Sequence, residues 1–403
     1  MSLVLTSLSA GQEISAQLND SLFAADYGID PLQKGKLAIE IDNTSFFKNN
    51  EFVTTVQKGY TLPGFQLQLK ASYYPLHNLK IEGGAHSIWF WGTTRYPAFA
   101  YKDMAKWEGQ DYAHNVHVLP YFRANVKFSE SVNFIFGNIF GGANHRLIEP
   151  LYNHELNLSS DPESGIQLLC NTKWINFDLW LDWITYIYEL DTHQESFVSG
   201  VSTRFLANSP KSPFHVYFPV QGLVQHRGGE IDLYVEEVQT VMNGAAGAGL
   251  TWNPNLRVLK YINTEFDIAG YMLNNNALSD LNRGSGYYAK LSLQLQEFNV
   301  TASYWRCKDF MTVFGSPFYG SVSTKIEGLK YKRPQLFYLS ADYVHQLGKG
   351  FVFGVEAEAY FSFGGSAVMS DGGLYQGSVY GGNTNYSFGV YLRMSPSFLI
   401  KQY

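Results

Sequence analysis

The sequence predicts an all-β fold, a closed antiparallel transmembrane β-barrel of about sixteen strands. Three observations predict it. Apolar and polar residues alternate strictly along many segments, tight turns alternate with long loops, and the composition is poor in surface charge. Charged residues make up 16% of the 403, matched by 16% aromatics including 28 Tyr and 29 Phe, where an average soluble protein has about 25% charged. Phe351 to Gly364 shows the alternation well. Phe353, Val355, Ala357, Ala359, Phe361 and Phe363 fall on one face, and Gly354, Glu356, Glu358, Tyr360 and Ser362 on the other. Successive side chains of a strand leave opposite faces of the backbone, so this is a strand with one oily side.

Taken in order, the same test places strands at 36–47, 62–74, 79–92, 114–128, 132–141, 164–171, 175–188, 196–207, 213–226, 237–252, 257–273, 285–296, 298–308, 335–346, 350–363 and 384–400. Within 62–74, Phe65, Leu67, Leu69, Ala71 and Tyr73 oppose Gln66, Gln68, Lys70 and Ser72. Within 114–128, Val116, Val118, Pro120, Phe122, Ala124, Val126 and Phe128 oppose Asn115, His117, Tyr121, Arg123, Asn125 and Lys127. Within 285–296, Leu291, Leu293 and Leu295 oppose Lys290, Ser292, Gln294 and Gln296. After each even-numbered strand the connection is tight: PLHN, SES, NTKW, NSPKS, NPNLR, QE and LGKG. After each odd-numbered strand it is longer, from LDTHQE to GSAVMSDGGLYQGSVYGGNTN. Short turns at one end, long loops at the other and both termini at the short-turn end make the layout of a membrane barrel.

In this pattern and parity the chain resembles bacterial outer-membrane β-barrel proteins of the porin kind, over roughly residues 36 to 403. The resemblance implies the bacterial outer membrane, with short turns on the periplasmic side. The bilayer supplies the reason for closure, because every backbone group in hydrocarbon needs a partner and only a closed sheet gives one. Aromatic clusters at strand ends, including Tyr73 and Tyr74, Trp89 to Trp91, Trp174, and Tyr287 and Tyr288, fit interfacial girdles. Tyr403 suits an aromatic C-terminus, although Ser395 and Pro396 interrupt the last strand. Two domains follow: residues 1–34 as a periplasmic extension or plug, and 35–403 as the barrel. The opening MSLVLTSLSAGQ lacks the basic start and full apolar core of a signal peptide, so the expectation is either a cytosolic protein or a chain whose signal has been removed.

Sixteen strands leave room for an aqueous channel. The expected lining is Lys70, Lys80, Arg123, Lys127, Asp178, Asp182, Glu265, Asp267, Asp342, Glu356, Glu358 and Arg393, charges that a dry core would not tolerate unpaired. The loop Asn144 to Glu155 holds the ordinal place of a porin constriction loop, which makes His145, Arg146, Glu149, His154 and Glu155 constriction candidates. The expected function is passive diffusion of small polar solutes, and no enzymatic activity is expected. Two alternatives stand beside it: a barrel that binds surface glycan or assembles with a nutrient-uptake partner, and a barrel enzyme acting on lipid.

Several chemistries are excluded or unsupported. A net charge of −6 and the lack of a basic run argue against nucleic acid. Cys170 and Cys307 define neither a disulfide framework nor a metal knuckle, and no zinc spacing surrounds His154 and Glu155, so no metal and no cofactor is expected. There is no GxSxG, and His86, His117 and His215 are expected in the lumen, His86 and His117 as wall hydrogen-bonding groups. GAAGAG, Gly244 to Gly249, lies inside a strand pattern and reads as a place of close packing against the wall. The expected partners are outer-membrane lipid and a small polar solute, with a second copy of the chain or a surface lipoprotein as further candidates.

Overall fold

The computed structural model describes residues 18–91, 116–190, 194–209, 211–229, 238–254, 256–274, 281–348, 350–373 and 375–403. Thirteen strands come first: β1 Lys36–Thr54, β2 Tyr60–Leu76, β3 Leu79–Phe90, β4 His117–Ser129, β5 Val132–Asn138, β6 Ser164–Asn171, β7 Ile175–Thr185, β8 Ser196–Leu206, β9 Phe214–Arg227, β10 Gln239–Trp252, β11 Leu259–Asn274, β12 Arg283–Leu295 and β13 Phe298–Lys308. They are followed by β14 Leu329–Lys332, β15 Gln335–Gly348, β16 Phe351–Phe363, β17 Ser366–Met369, β18 Gly381–Met394 and β19 Ser397–Gln402. β14 and β17 form a separate ribbon in the loops, and the rest make one antiparallel sheet.

The sheet closes on β1. One edge of β1 pairs with β2 from Leu37–Tyr73 to Asn50–Tyr60, and the other pairs with β18 and β19. β18 and β19 are two halves of one stave. Pro396 has no N–H to offer the ladder, yet its carbonyl accepts from Ile41 N at 3.0 Å. With that stave counted once the barrel has sixteen, as the alternation predicts. Among the described residues, closure leaves the barrel sheet no open edge toward lipid. The outward face carries Leu69, Val118, Phe122, Leu179, Val220, Ile268 and Leu339, all exposed. Phe90 and Tyr288, expected in the girdles, instead point inward and are buried, because alternation sends only every second residue of an aromatic pair to the outside.

The interior departs from a water-filled pore. A buried cluster runs through it, with Phe52, Ile148, Leu151, Tyr271, Trp305, Phe310 and Tyr319 among its members. Among the described residues, three segments fill the space. The first is the N-terminal stretch with the short helix α1 (Leu18–Phe23), whose Leu18 and Leu22 are 1% exposed; burying each contributes about 1.5–3 kcal/mol. Leu18 N donates to Asp342 Oδ2 at 3.0 Å, Asn144 Nδ2 to the Phe23 carbonyl at 3.4 Å and Asn125 Nδ2 to the Tyr27 carbonyl at 2.9 Å. The second is the β5–β6 loop with its short helix α2 (Leu156–Ser159). The third is the β13–β15 loop, whose Phe310, Met311, Phe318 and Tyr319 are buried. Loop side chains here take the volume that strand count alone assigns to water.

Candidate functional site

Nearly all of the sequence-predicted wall charges are buried or partly buried in ion pairs or hydrogen bonds. Lys70 Nζ lies 3.0 Å from Glu82, Lys80 3.2 Å from the same carboxylate, and Arg123 donates to the Ile139 carbonyl at 3.0 Å. Arg393 holds Asp42 through Nε and Nη2 at 3.0 and 2.8 Å. Lys127 pairs with Glu130 at the short-turn end at 2.7 Å. Asp182 accepts from Ser164 N at 2.7 Å, Glu265 from Tyr217 Oη at 2.5 Å, and Asp267 is buried beside it on β11. Glu356 and Glu358 both bind Lys48 Nζ at 2.7 Å. The sequence reading placed Lys48 in a loop, one residue beyond the strand it ends.

The β5–β6 loop is tied to the wall by its own charges. His145 sits between Asp178 (2.7 Å) and Glu163 (2.8 Å) and stacks on Trp180 with ring centroids 3.6 Å apart. Burial works against its charge, but the two carboxylates win and push its pKa up to about 10. Arg146 follows in a left-handed conformation (φ 55°), and its carbonyl accepts from Gln221 Nε2 at 2.9 Å. Burial would raise the Glu149 carboxyl, but Lys290 and His154 outweigh it and hold it below the usual range; Tyr288 donates to the same carboxylate. Glu155 accepts from Tyr60 and, at 2.8 Å, from Asn50. His154 is held below its ordinary pKa by burial. His145, Glu149 and Glu155, with the Arg146 carbonyl, cement the loop inside the barrel.

Acid–base chemistry at neutral pH falls most readily to histidine. His145 is locked between two carboxylates. His345 pairs with Glu297 at 3.0 Å at the short-turn end. His86 and the His117–Asp161 pair (3.0 Å) face inward, and His86 and Asp161 help line a cavity of about 180 Å3 with Lys70, Tyr121, Arg123 and Arg393. Another described histidine, on β9, is placed differently. His226 Nδ1 lies 3.0 Å from Thr240 Oγ1, and both face outward, because Gln225, Arg227, Gln239 and Val241 on either side of them are buried.

The register extends this pair into a row. Trp183 lies opposite Phe197, Phe197 opposite His226, His226 opposite Thr240, and Thr240 opposite Asn274. The Trp183 indole stacks on Tyr186 at 5.8 Å and donates to Glu195 Oε1 at 3.1 Å, while the Phe197 ring lies 5.2 Å from the His226 ring. Each member is within two residues of its strand's long-loop end. Aromatics at that height mark the membrane–water interface. The row therefore sets an imidazole, a hydroxyl and a carboxamide on adjacent strands, level with the boundary between polar headgroup and hydrocarbon. With the Nε2–H tautomer, Thr240 donates to His226 Nδ1, the arrangement that lets an imidazole take a hydroxyl proton. Among the described residues no cluster of His, Cys, Asp and Glu is suited to hold a metal ion.

Sequence reading missed His226, Thr240 and Asn274. Their signal is weak: polar residues on a face otherwise given to Val, Phe and Ile, at strand ends separated by a long loop. GAAGAG was read as close packing, and the structure resolves it by face. Gly249 leaves room for the Tyr217 ring on the inside, whereas Gly244 looks out.

The family model described as lipid A 3'-O-deacylase-type matches residues 29–403. No curated protein matches the chain. Among solved structures, OccAB1 of Acinetobacter baumannii is 10% identical over 90% of this chain and 96% of its own, with a TM-score of 0.47. The OmpTdeltaL8 outer membrane protein of Vibrio cholerae is 9% identical over 89% and 98%, with a TM-score of 0.45. OprD of Pseudomonas aeruginosa is 10% identical over 93% and 98%, with a TM-score of 0.42. The closed sheet, its apolar belt and the family match make the chain an outer-membrane barrel. The same match corrects the expectation that it has no enzymatic activity: the family is named for an ester hydrolase, a chemistry that alternation and loop parity do not encode.

Proposed function

The chain belongs to the lipid A 3'-O-deacylase-type family, and from that membership we propose that it is an outer-membrane esterase that removes an acyl chain from lipid A. The observation that carries the reading is the His226–Thr240 pair at 3.0 Å on the outward face, at the height where a glycolipid's ester bonds lie. In the proposed step Thr240 Oγ1 attacks the ester carbonyl carbon while its proton passes to His226 Nδ1. The carboxamide of Asn274, opposite Thr240 in the ladder, donates to the oxyanion that forms. Collapse expels the sugar oxygen, which takes the proton from His226, and water then releases the fatty acid from Thr240 by the reverse sequence. A packed interior suits this reading better than free diffusion, since the substrate never enters the lumen.

The test is mass spectrometry of lipid A incubated with the purified, folded barrel. Wild type is expected to release one acyl chain, Thr240→Ser to retain activity, and Thr240→Val and His226→Gln to lose on the order of 10²-fold or more. Intact lipid A after incubation with wild type would overturn the reading. Full activity in His226→Gln with loss in His117→Gln would move the chemistry to the inward cavity.

A further inference from the structure

On the outer wall beside the row, three cations sit at the long-loop ends of β12 and β13. Arg283, Arg306 and Lys308 are exposed, and the burial of Tyr288, Trp305 and Cys307 inside the barrel fixes the outward direction of the odd β12 positions and the even β13 positions. Arg306 lies opposite the exposed Tyr287, and Lys308 opposite Ser285. Cations on a lipid-facing wall are costly unless they reach an interface or an anion. Here they stand at the level of the headgroups.

From Lys308 the same ladder row runs across the outer wall to Ser285, Gly270, Gly244 and Gly222. Lys308 ends its strand, and Gly244 is six residues into β10, so the row descends from the cationic rim toward the hydrocarbon. Glycine weakens a strand and is kept where something approaches the backbone closely. Inside the barrel that reason is visible: a Cβ at Gly200 would meet the Trp180 ring, at Gly286 the Trp305 ring. Outside it is not. A Cβ at Gly270 would meet nothing within 4 Å, and at Gly244 and Gly222 nothing nearer than 3.4 Å. None of the three has a positive φ. The chain itself has no steric need for these glycines.

We propose that this face of β9–β13 is the docking surface for an outer-leaflet glycolipid carrying phosphate. Its phosphate pairs with Arg283, Arg306 and Lys308, and an acyl chain lies on the bare backbone at Gly270, Gly244 and Gly222. Charge complementarity selects the occupant, because a cationic rim above an apolar trough matches an anionic head on an acyl tail. The inference rests on the esterase reading for its substrate class. It places that substrate four residues along β10 from Thr240, about 13 Å at strand rise.

Binding is read separately from turnover, with His226→Gln as the background. Labelled lipid A is titrated into the folded barrel in micelles, with dephosphorylated lipid A and phosphatidylglycerol as comparison probes. Replacing Arg283, Arg306 and Lys308 together by Ala is expected to weaken lipid A binding about tenfold or more, the scale of lost charge-assisted contacts, and to leave phosphatidylglycerol little changed. Gly270→Leu, which leaves the cations in place, is expected to weaken both forms of lipid A. Unchanged lipid A binding in both variants overturns the docking surface even if the wild type is an active esterase. Equal losses for phosphatidylglycerol also overturn it, as a general anionic-lipid surface only. Loss of binding as expected, with no acyl release by wild type, keeps the docking surface and discards the esterase. Heat-dependent gel mobility verifies that each variant is folded.

Discussion

His226 Nδ1 and Thr240 Oγ1 stand 3.0 Å apart across the β9–β10 ladder, on the side of the barrel that meets lipid. The two residues lie on either side of a long loop, and only the pairing of the strands brings them together. In the proposed reaction this hydroxyl is the nucleophile, with its base already in contact.

The first expectation is covalent. An alkyl fluorophosphonate carried in micelles labels Thr240, seen as a mass increase on the peptide that contains it. His226→Gln removes the labelling, because the base no longer takes the hydroxyl proton. Labelling that persists in His226→Gln, or that maps to another residue, speaks against the pair.

Lys48 supplies a second expectation. It is the cation shared by Glu356 and Glu358 at 2.7 Å, with Glu155 at 4.0 Å, and its side chain is 7% exposed. Lys48→Met leaves buried carboxylates without their cation and is expected to cost about 3–5 kcal/mol, measured by urea unfolding of the barrel in micelles. A loss below about 1 kcal/mol, the scale of an exposed pair, would mean the site is wetter than its burial indicates.

The pH dependence of stability turns on His145. Its pKa, near 6.5 when unfolded, rises to about 10 between Glu163 and Asp178. A raised cation stabilises the fold fully below the unfolded value, and that contribution drains away as pH climbs through the folded one. Wild type is therefore expected to lose stability between about pH 6.5 and 10, and His145→Phe to show a flatter profile over the same window. Parallel profiles for the two proteins would refute the assignment.

Conductance tests the filled interior. In a planar bilayer the whole chain is expected to stay nearly silent, since α1 and the β5–β6 loop occupy the lumen. Deleting residues 18–27 frees Asp342 and Arg393, which hold that segment through Leu18 N and the Ser21 carbonyl, and is expected to raise conductance. Large, lasting steps from the full chain would restore the diffusion reading.

Much of the barrel was legible beforehand, and the reason is local. Each of the sixteen expected strands overlaps an observed one, because a period of two along a segment and the length of the next connection are properties of neighbouring residues. Boundaries slipped where a polar residue such as Lys48 continues a strand on its inward face. The cation that holds Glu356 and Glu358 was missed for a different reason. Their cation comes from β1, more than 300 positions away, and no local pattern announces it.

Alternation and turn parity alone settle the class of fold, the number of staves and which side chains face out, since each follows from the geometry of one strand. What fills the barrel, and which outward residues touch, belong to the closed sheet. His226, Thr240 and Asn274 become neighbours, and Gly222, Gly244 and Gly270 become one trough, only through the register of strands joined by long loops. Register is a property of paired strands, so a residue's place on a face can be read from the chain while its neighbour across the ladder cannot.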